Sequence, residues 1–223
     1  MKKLLRSAFL LAVVAFMSMD VQAQAFQKGN ANIDIGLGFG AYGTRTTFSF
    51  DFLGIPITLQ ETDGAASTMV PLAFEYGISN KFGIGAELGF VNYFISDSTE
   101  DSNGNLVADN TESVKSVDFL IVCNFHLLNA EKNDLYIGLG LGASSVNWTF
   151  LNVSDTYSGT GGIFKFYLRD RIFFNDHIGL LLNLGYTSYN YSDMKASNNN
   201  AFLENLKWEV KGINFGTGLS VKF

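Results

Sequence analysis

The chain has 223 residues, a formal net charge of −6 and no basic tract, which argues against a nucleic-acid partner. Its single cysteine, Cys123, cannot form an internal disulfide, so sheet and packing must hold the fold. Phe (21), Tyr (9) and Gly (23) against only 2 Pro suit long strands better than helices, in a chain of about one domain's length.

Lys2, Lys3 and Arg6 precede an apolar run from Leu10 to Phe16, and small residues follow at Val21-Gln22-Ala23 and Ala23-Gln24-Ala25. That layout predicts a secretory signal peptide over residues 1–25, with cleavage after Ala23 or Ala25 equally open, and one domain over 26–223. The run is too short to span a bilayer as a helix, and no later segment has 18 uninterrupted apolar residues.

From Asn32 the chain alternates: Ile33, Ile35, Leu37, Phe39 and Ala41 against Asp34, Gly36, Gly38, Gly40 and Tyr42. A period of two is a strand with one bulky face and one small or polar face. Residues 43–66 are expected to be a polar and aromatic loop. The same alternation predicts strands over 67–77 and 82–94, joined by the tight turn Ser79-Asn80-Lys81. An acidic loop over 95–113 follows, then strands from about Val114 to Leu127 and from Leu135 after the turn 129–134. A loop over 150–161 leads to strands over 162–174 and 178–190, joined by Asn175-Asp176-His177. The loop 191–204 precedes the last strand, from about Leu206 to Phe223.

The connections thus alternate long and short between eight strands. Outer-membrane barrels have an even strand number, short periplasmic turns and long external loops. Each strand is long enough to cross a bilayer when tilted, which takes roughly 9–11 residues. The expected fold is all-β: an eight-stranded antiparallel up-and-down transmembrane β-barrel.

The stretches EYGISNKFGIGAELGF (75–90), LYIGLGLGA (135–143), FFNDHIGLLLNLGY (173–186) and GINFGTGLSVKF (212–223) resemble the bacterial outer-membrane beta-barrel domain family, the small barrels akin to OmpX and the OmpA transmembrane domain. The resemblance covers essentially the whole chain after the leader. It implies a monomeric barrel in the cell outer membrane, in contact with outer-membrane lipid and lipopolysaccharide. Leu219, Val221 and the terminal Phe223 are similar to the signal read by the barrel-assembly machinery during biogenesis.

With the bulky face outward, the inner face carries Asp34, Glu75, Glu87 and Asp118 on the first four strands and Lys165, Arg169 and Arg171 on the sixth. An eight-stranded barrel is only wide enough for side chains to fill it. These charges are expected to meet as a plug, helped by Tyr136, Tyr167 and Asn214, because buried charges must pair. The glycines between them would leave room for the long side chains. A pore lined by the same charges is the alternative.

No catalytic residues, metal site or cofactor are expected. Gly38 to Gly43 has the G-x-G-x-x-G spacing but no helix after it to hold a phosphate. His126 and His177 lack clustered partners for zinc, and no serine sits in a G-x-S-x-G elbow. Glu75 and Glu87 could form an acid/base pair only if the lumen were open. Asp97, Glu100, Asp101, Asn103, Asn105 and Asp109 offer oxygen ligands, but not at EF-hand spacing. The aromatics Tyr42, Phe48, Phe50, Phe52, Tyr93, Phe94, Trp148, Phe150, Tyr186, Tyr189, Tyr191 and Trp208 gather at the long-loop ends and are expected to form an interfacial girdle.

The role these features support is structural or surface interaction through four external loops. A small porin-like passage protein for ions or small hydrophobic molecules is the first alternative. A soluble, secreted lipocalin-like barrel, which needs the bulky face inward, is the second.

Overall fold

The computed structural model describes residues 25–53, 55–95, 98–100, 106–108, 112–150, 156–197 and 205–223. In chain order the strands are β1 (Ala31–Phe52), β2 (Ile55–Gly77), β3 (Phe82–Ile95), the short arms β4 (Ser98–Glu100) and β5 (Leu106–Ala108), β6 (Glu112–Asn129), β7 (Asn133–Phe150), β8 (Thr156–Phe173), β9 (Ile178–Ala196) and β10 (Asn205–Lys222). Eight of them form a closed antiparallel barrel in the order β1-β10-β9-β8-β7-β6-β3-β2, while β4 and β5 pair only with each other. Closure runs along the first and last strands, from Asn32 opposite Lys222 to Ser49 opposite Asn205. The closed wall has no free edge, so its backbone groups pair around the ring as a bilayer requires, with interruptions beside Pro71 and at the bulges near Leu128, Ser158 and Trp208.

Alternation sets which face is which. On β1, Asn32, Asp34, Tyr42, Thr44 and Thr46 are buried in the lumen, while Ile35, Leu37 and Phe39 stand outside. Phe119 and Ile121 on β6, Leu139 and Leu141 on β7, Leu184 on β9, and Ile213 and Phe215 on β10 continue the outer belt. A belt of this extent is untenable in water but matches hydrocarbon. It excludes the lipocalin-like reading, which needed these residues inside. Asp170 is the one acid that interrupts the outward row of β8; it is half-buried, and Asn133 Nδ2 donates to it at 3.5 Å.

The expected long loops do not hold, and all four are shortened by strand. β8 begins at Thr156 and β9 runs on to Ala196, inside the expected loops 150–161 and 191–204, because Thr, Tyr and Ser residues there keep the ladder going. Residues 43–66 are not a loop: β1 and β2 continue as a paired hairpin up to Phe52 opposite Ile55. The alternation in fact continues there, with Phe48, Phe50 and Phe52 against Thr47, Ser49 and Asp51, and Ile55, Ile57 and Leu59 against Pro56, Thr58 and Gln60. Gly54, Pro56 and Asp63-Gly64 carry loop signals, but the Thr, Ile and Phe content keeps the chain extended. The loop 95–113 likewise contains the β4–β5 pair. Of the oxygen ligands weighed in that loop, Asp97, Asp101, Asn103, Asn105 and Asp109 lie outside the described residues, as do residues 1–24.

The aromatic girdle also fails. Tyr42, Tyr93, Trp148, Tyr189, Tyr191 and Trp208 are all buried in the lumen, each at most 5% exposed. Tyr191 stacks on Trp208 at 5.6 Å and Tyr93 meets the same ring edge-on at 5.2 Å. Phe94 and Tyr186 are the members of the expected girdle that face outward and exposed.

The mouth at the short-turn end is crossed by the segment before β1. Ala25 N–H donates to Ala130 O at 2.7 Å and Phe26 N–H to Asn129 Oδ1 at 2.8 Å. This carries the fully buried Phe26 ring onto the His126 imidazole, 3.5 Å away and nearly parallel.

Candidate functional site: the charged lumen

Above Phe26 the lumen is built in layers, with β8 as the base-bearing wall. Its inward positions Lys165, Tyr167, Arg169 and Arg171 follow at a spacing of two and are all buried. The side chains of Lys165, Arg169 and Arg171 cross the barrel to the acids of β1, β2 and β3, and glycines on adjoining strands leave room for the long side chains beside them. At Gly83, an added Cβ would collide with the Glu75 carboxyl; at Gly138, it would collide with the Tyr167 ring.

The lowest layer centres on Arg171. Its guanidinium reaches Asp34 through Nε (3.1 Å) and Nη2 (2.7 Å), Glu75 Oε2 through Nη1 (2.6 Å), and Asp134 Oδ2 at 3.2 Å. His126 bridges two of the same acids, with Nδ1 at 2.5 Å from Asp134 Oδ1 and Nε2 at 3.1 Å from Glu75 Oε1. Only the imidazolium can donate from both nitrogens, so this arrangement suits the charged ring. Asn124 Nδ2 donates to Glu75 Oε1 at 2.6 Å and accepts from Tyr167 Oη at 2.7 Å. Arg171 also lies over the Tyr136 ring, 4.5 Å from its centroid.

The next layer centres on Glu87. Lys165 Nζ lies 2.5 Å from Oε1 and Arg169 Nη2 2.5 Å from Oε2, so one carboxylate satisfies two bases. Arg169 continues through Nε to Asn183 Oδ1 at 2.9 Å, and Asn183 to Asn214 at 3.2 Å. The Arg169 guanidinium lies 4.1 Å from the centre of the Tyr167 ring.

Asp118, the fourth acid expected to meet the bases, is held by hydroxyls instead. It accepts from Ser144 (2.5 Å), Tyr189 (2.9 Å) and Ser116 (3.1 Å). Above it lies the Tyr–Trp cluster. The cavity lined by Glu87, Asp118, Lys165 and Tyr189 has a volume of about 10 Å³, the size of one water.

The structure therefore brings together Asp34, Glu75 and Arg171 in one layer and Glu87, Lys165 and Arg169 in another, with Asp118 apart. Asp134 and His126 complete the first layer and were not singled out from sequence. Asp134 falls in the expected turn 129–134, and His126 shares the alternating face of Asp118 but has no expected partner; the structure puts both on inward positions, of β7 and β6 respectively. Leu219, Val221 and Phe223 are at the closing seam, where Phe223 is 68% exposed and exchanges backbone hydrogen bonds with Ala31.

Closed eight-strand wall, apolar exterior and filled polar interior define a small outer-membrane β-barrel. The chain matches the family model described as the outer membrane protein beta-barrel domain over residues 9–223, and it belongs to that family. Its fold is similar to that of the outer membrane protein OprG from Pseudomonas aeruginosa, with a TM-score of 0.60 and 14% identity over 92% of this chain and 99% of that one. The outer membrane protease OmpT from Escherichia coli is similar at a TM-score of 0.50 and 10% identity, covering 93% of this chain and 100% of that one. No curated protein matches in sequence. The protein is placed in the outer membrane, in contact with its lipid.

Replacing Arg171 with Met should leave Asp34, Glu75 and Asp134 buried without their shared cation. Breaking a buried pair in this way costs about 3–5 kcal/mol. Urea unfolding of protein refolded in lipid should show that loss, against less than about 1 kcal/mol for Arg45→Met at an exposed pair.

Proposed function

We propose that this protein is a sealed barrel, whose role is carried by its wall and by the strands and loops that project from the long-connection end. It is a structural or surface-interaction protein and not an enzyme. The observation that supports this most strongly is the continuous filling of the lumen, from Phe26 through the two ion-paired layers to the Tyr–Trp cluster. Glu75 holds Arg171 and the Asn124 amide, and Glu87 holds Lys165 and Arg169, so neither acid is left free to face a substrate. Passage of ions would require breaking at least two layers of charge-assisted hydrogen bonds.

Purified protein in planar bilayers tests the reading. We expect no unitary current steps at neutral pH across about ±100 mV, a field worth only about 2.3 kcal/mol per charge. Steady single-channel conductance in the wild type would make it a passage protein.

The leader is placed, on the same view, as ending at Ala23. The barrel uses the Ala25 amide, and cleavage after Ala25 would remove it. Intact mass of the protein extracted from outer membranes should correspond to a chain beginning at Gln24; a chain beginning at Phe26 would refute this.

A further inference from the structure

The outer wall carries a feature that the sealed lumen does not use and that stands independently of it. On β10, Lys211 follows Ile213 at the upper end of the apolar belt, and Glu209 and Lys207 come next on the same outward face. Across the closing seam Lys211 lies opposite Gly43, Glu209 opposite Arg45 and Lys207 opposite Thr47. Three bases thus surround one carboxylate: Lys207 Nζ at 2.8 Å, Lys211 Nζ at 3.7 Å and Arg45 Nη1 at 4.0 Å. The bases are 43–57% exposed and Glu209 is 19% exposed.

Charge is not balanced here. The hydrogen bond from Lys207, reinforced by the charges of Lys207, Lys211 and Arg45, holds the Glu209 carboxyl below its usual range. The carboxylate is ionised at neutral pH, and the cluster keeps two uncompensated positive charges. Among the neighbouring outward positions, Ser188 and Asn190 lie opposite Lys211 and Glu209 on β9 and Thr62 lies opposite Arg45 on β2, while Asp193, at the β9 bulge beside Lys207, is matched by its own base, Lys195, at 3.8 Å. Exposed ion pairs add little stability, so three crowded bases are not explained by folding.

Beside the bases the wall is bare. Ala41 faces Ala66 and Gly43 faces Gly64 across β1 and β2. A Cβ added at Gly43 or Gly64 would meet nothing within 4 Å. This recess sits between the bases and the exposed apolar side chains Phe39, Ile213 and Phe215, at the height where hydrocarbon gives way to headgroups.

We propose that this seam binds the phosphorylated headgroup of an outer-leaflet glycolipid. Arg45, Lys207 and Lys211 take the phosphate, Glu209 holds the three bases together, and the Ala41/Gly43/Gly64/Ala66 recess takes the sugar. The acyl chains lie along Phe39, Ile213 and Phe215. A phosphate supplies the two negative charges the cluster lacks, and charge-assisted bonds to it are about twice as strong as neutral ones. Lipid is the occupant because the bases point outward from a membrane wall, directly above its apolar belt.

Native mass spectrometry of the full protein in detergent, titrated with bis-phosphorylated lipid A and with its dephosphorylated form, tests the site. The wild type should prefer the phosphorylated form by at least about tenfold. Arg45→Gln with Lys207→Gln and Lys211→Gln should abolish that preference. Lys115→Gln, an outward base on β6, should keep it. Gly64→Phe, which fills the recess and leaves the bases in place, should weaken lipid A binding several-fold. Gel mobility of unboiled samples reports that each variant is folded. Equal binding of the two lipids by the wild type, an unchanged preference in the triple variant, an equal loss in Lys115→Gln, or unweakened lipid A binding by Gly64→Phe would overturn the proposal.

Discussion

The interior of this barrel depends on buried charge pairing across its narrow lumen. Lys165, Arg169 and Arg171 cannot be buried singly, since an unpaired charge in a low-dielectric interior costs several kcal/mol. Three of their carboxylates come from strands far away in sequence, Asp34 from β1, Glu75 from β2 and Glu87 from β3, while Asp134 lies on the adjoining β7 opposite Arg171. The pairs to Asp34, Glu75 and Glu87 therefore tie two walls together, and the barrel's cross-section is fixed by the reach of Arg and Glu. The apolar belt outside makes the protein a membrane protein; the ion pairs inside give it one lumen packing.

The same constraint accounts for the glycines. Long inward side chains such as Glu75 and Tyr167 need adjoining positions with no side chain. Gly83 gives way to Glu75 and Gly138 to Tyr167. Small residues inside and large ones outside also give the chain an exterior that lipid can solvate and an interior with almost no free volume. The basic seam at Arg45, Lys207 and Lys211 has a different logic. Those charges are outside, exposed and in excess, and their value lies in what they attract.

Much of this was legible in the sequence because a barrel strand has a strict period of two. Asp34, Glu75, Glu87, Lys165, Arg169 and Arg171 all fall on the small-residue face, and parity alone places them together in the lumen. Parity also placed Tyr42 inside, alongside Asp34 and Gly38. Reading the terminal aromatics as a girdle gave position along the strand more weight than face, and the structure favours face. The roles of Asp134 and His126 were hidden for other reasons. Asp134 sits beside a turn, where the two faces are hardest to tell apart and a one-residue error moves a side chain from outside to inside. His126 falls on the face of Asp118 by parity, and only its partners, Asp134 and Glu75, could not be read. The long β1–β2 hairpin was hidden because Gly54, Pro56 and Asp63-Gly64 carry loop signals, although Phe48, Phe50 and Phe52 and then Ile55, Ile57 and Leu59 keep the period of two.

The central claim is that the lumen is held by specific pairs rather than by a loosely solvated set of charges. A double-mutant cycle on Glu87 and Arg169, with Glu87→Gln and Arg169→Met measured singly and together by urea unfolding in lipid vesicles, addresses it directly. Groups in one buried network couple by about 0.5–3 kcal/mol. We expect a coupling in the upper half of that range. Additive effects within about 0.3–0.5 kcal/mol would mean that the two side chains act independently, and that water rather than pairing fills the barrel.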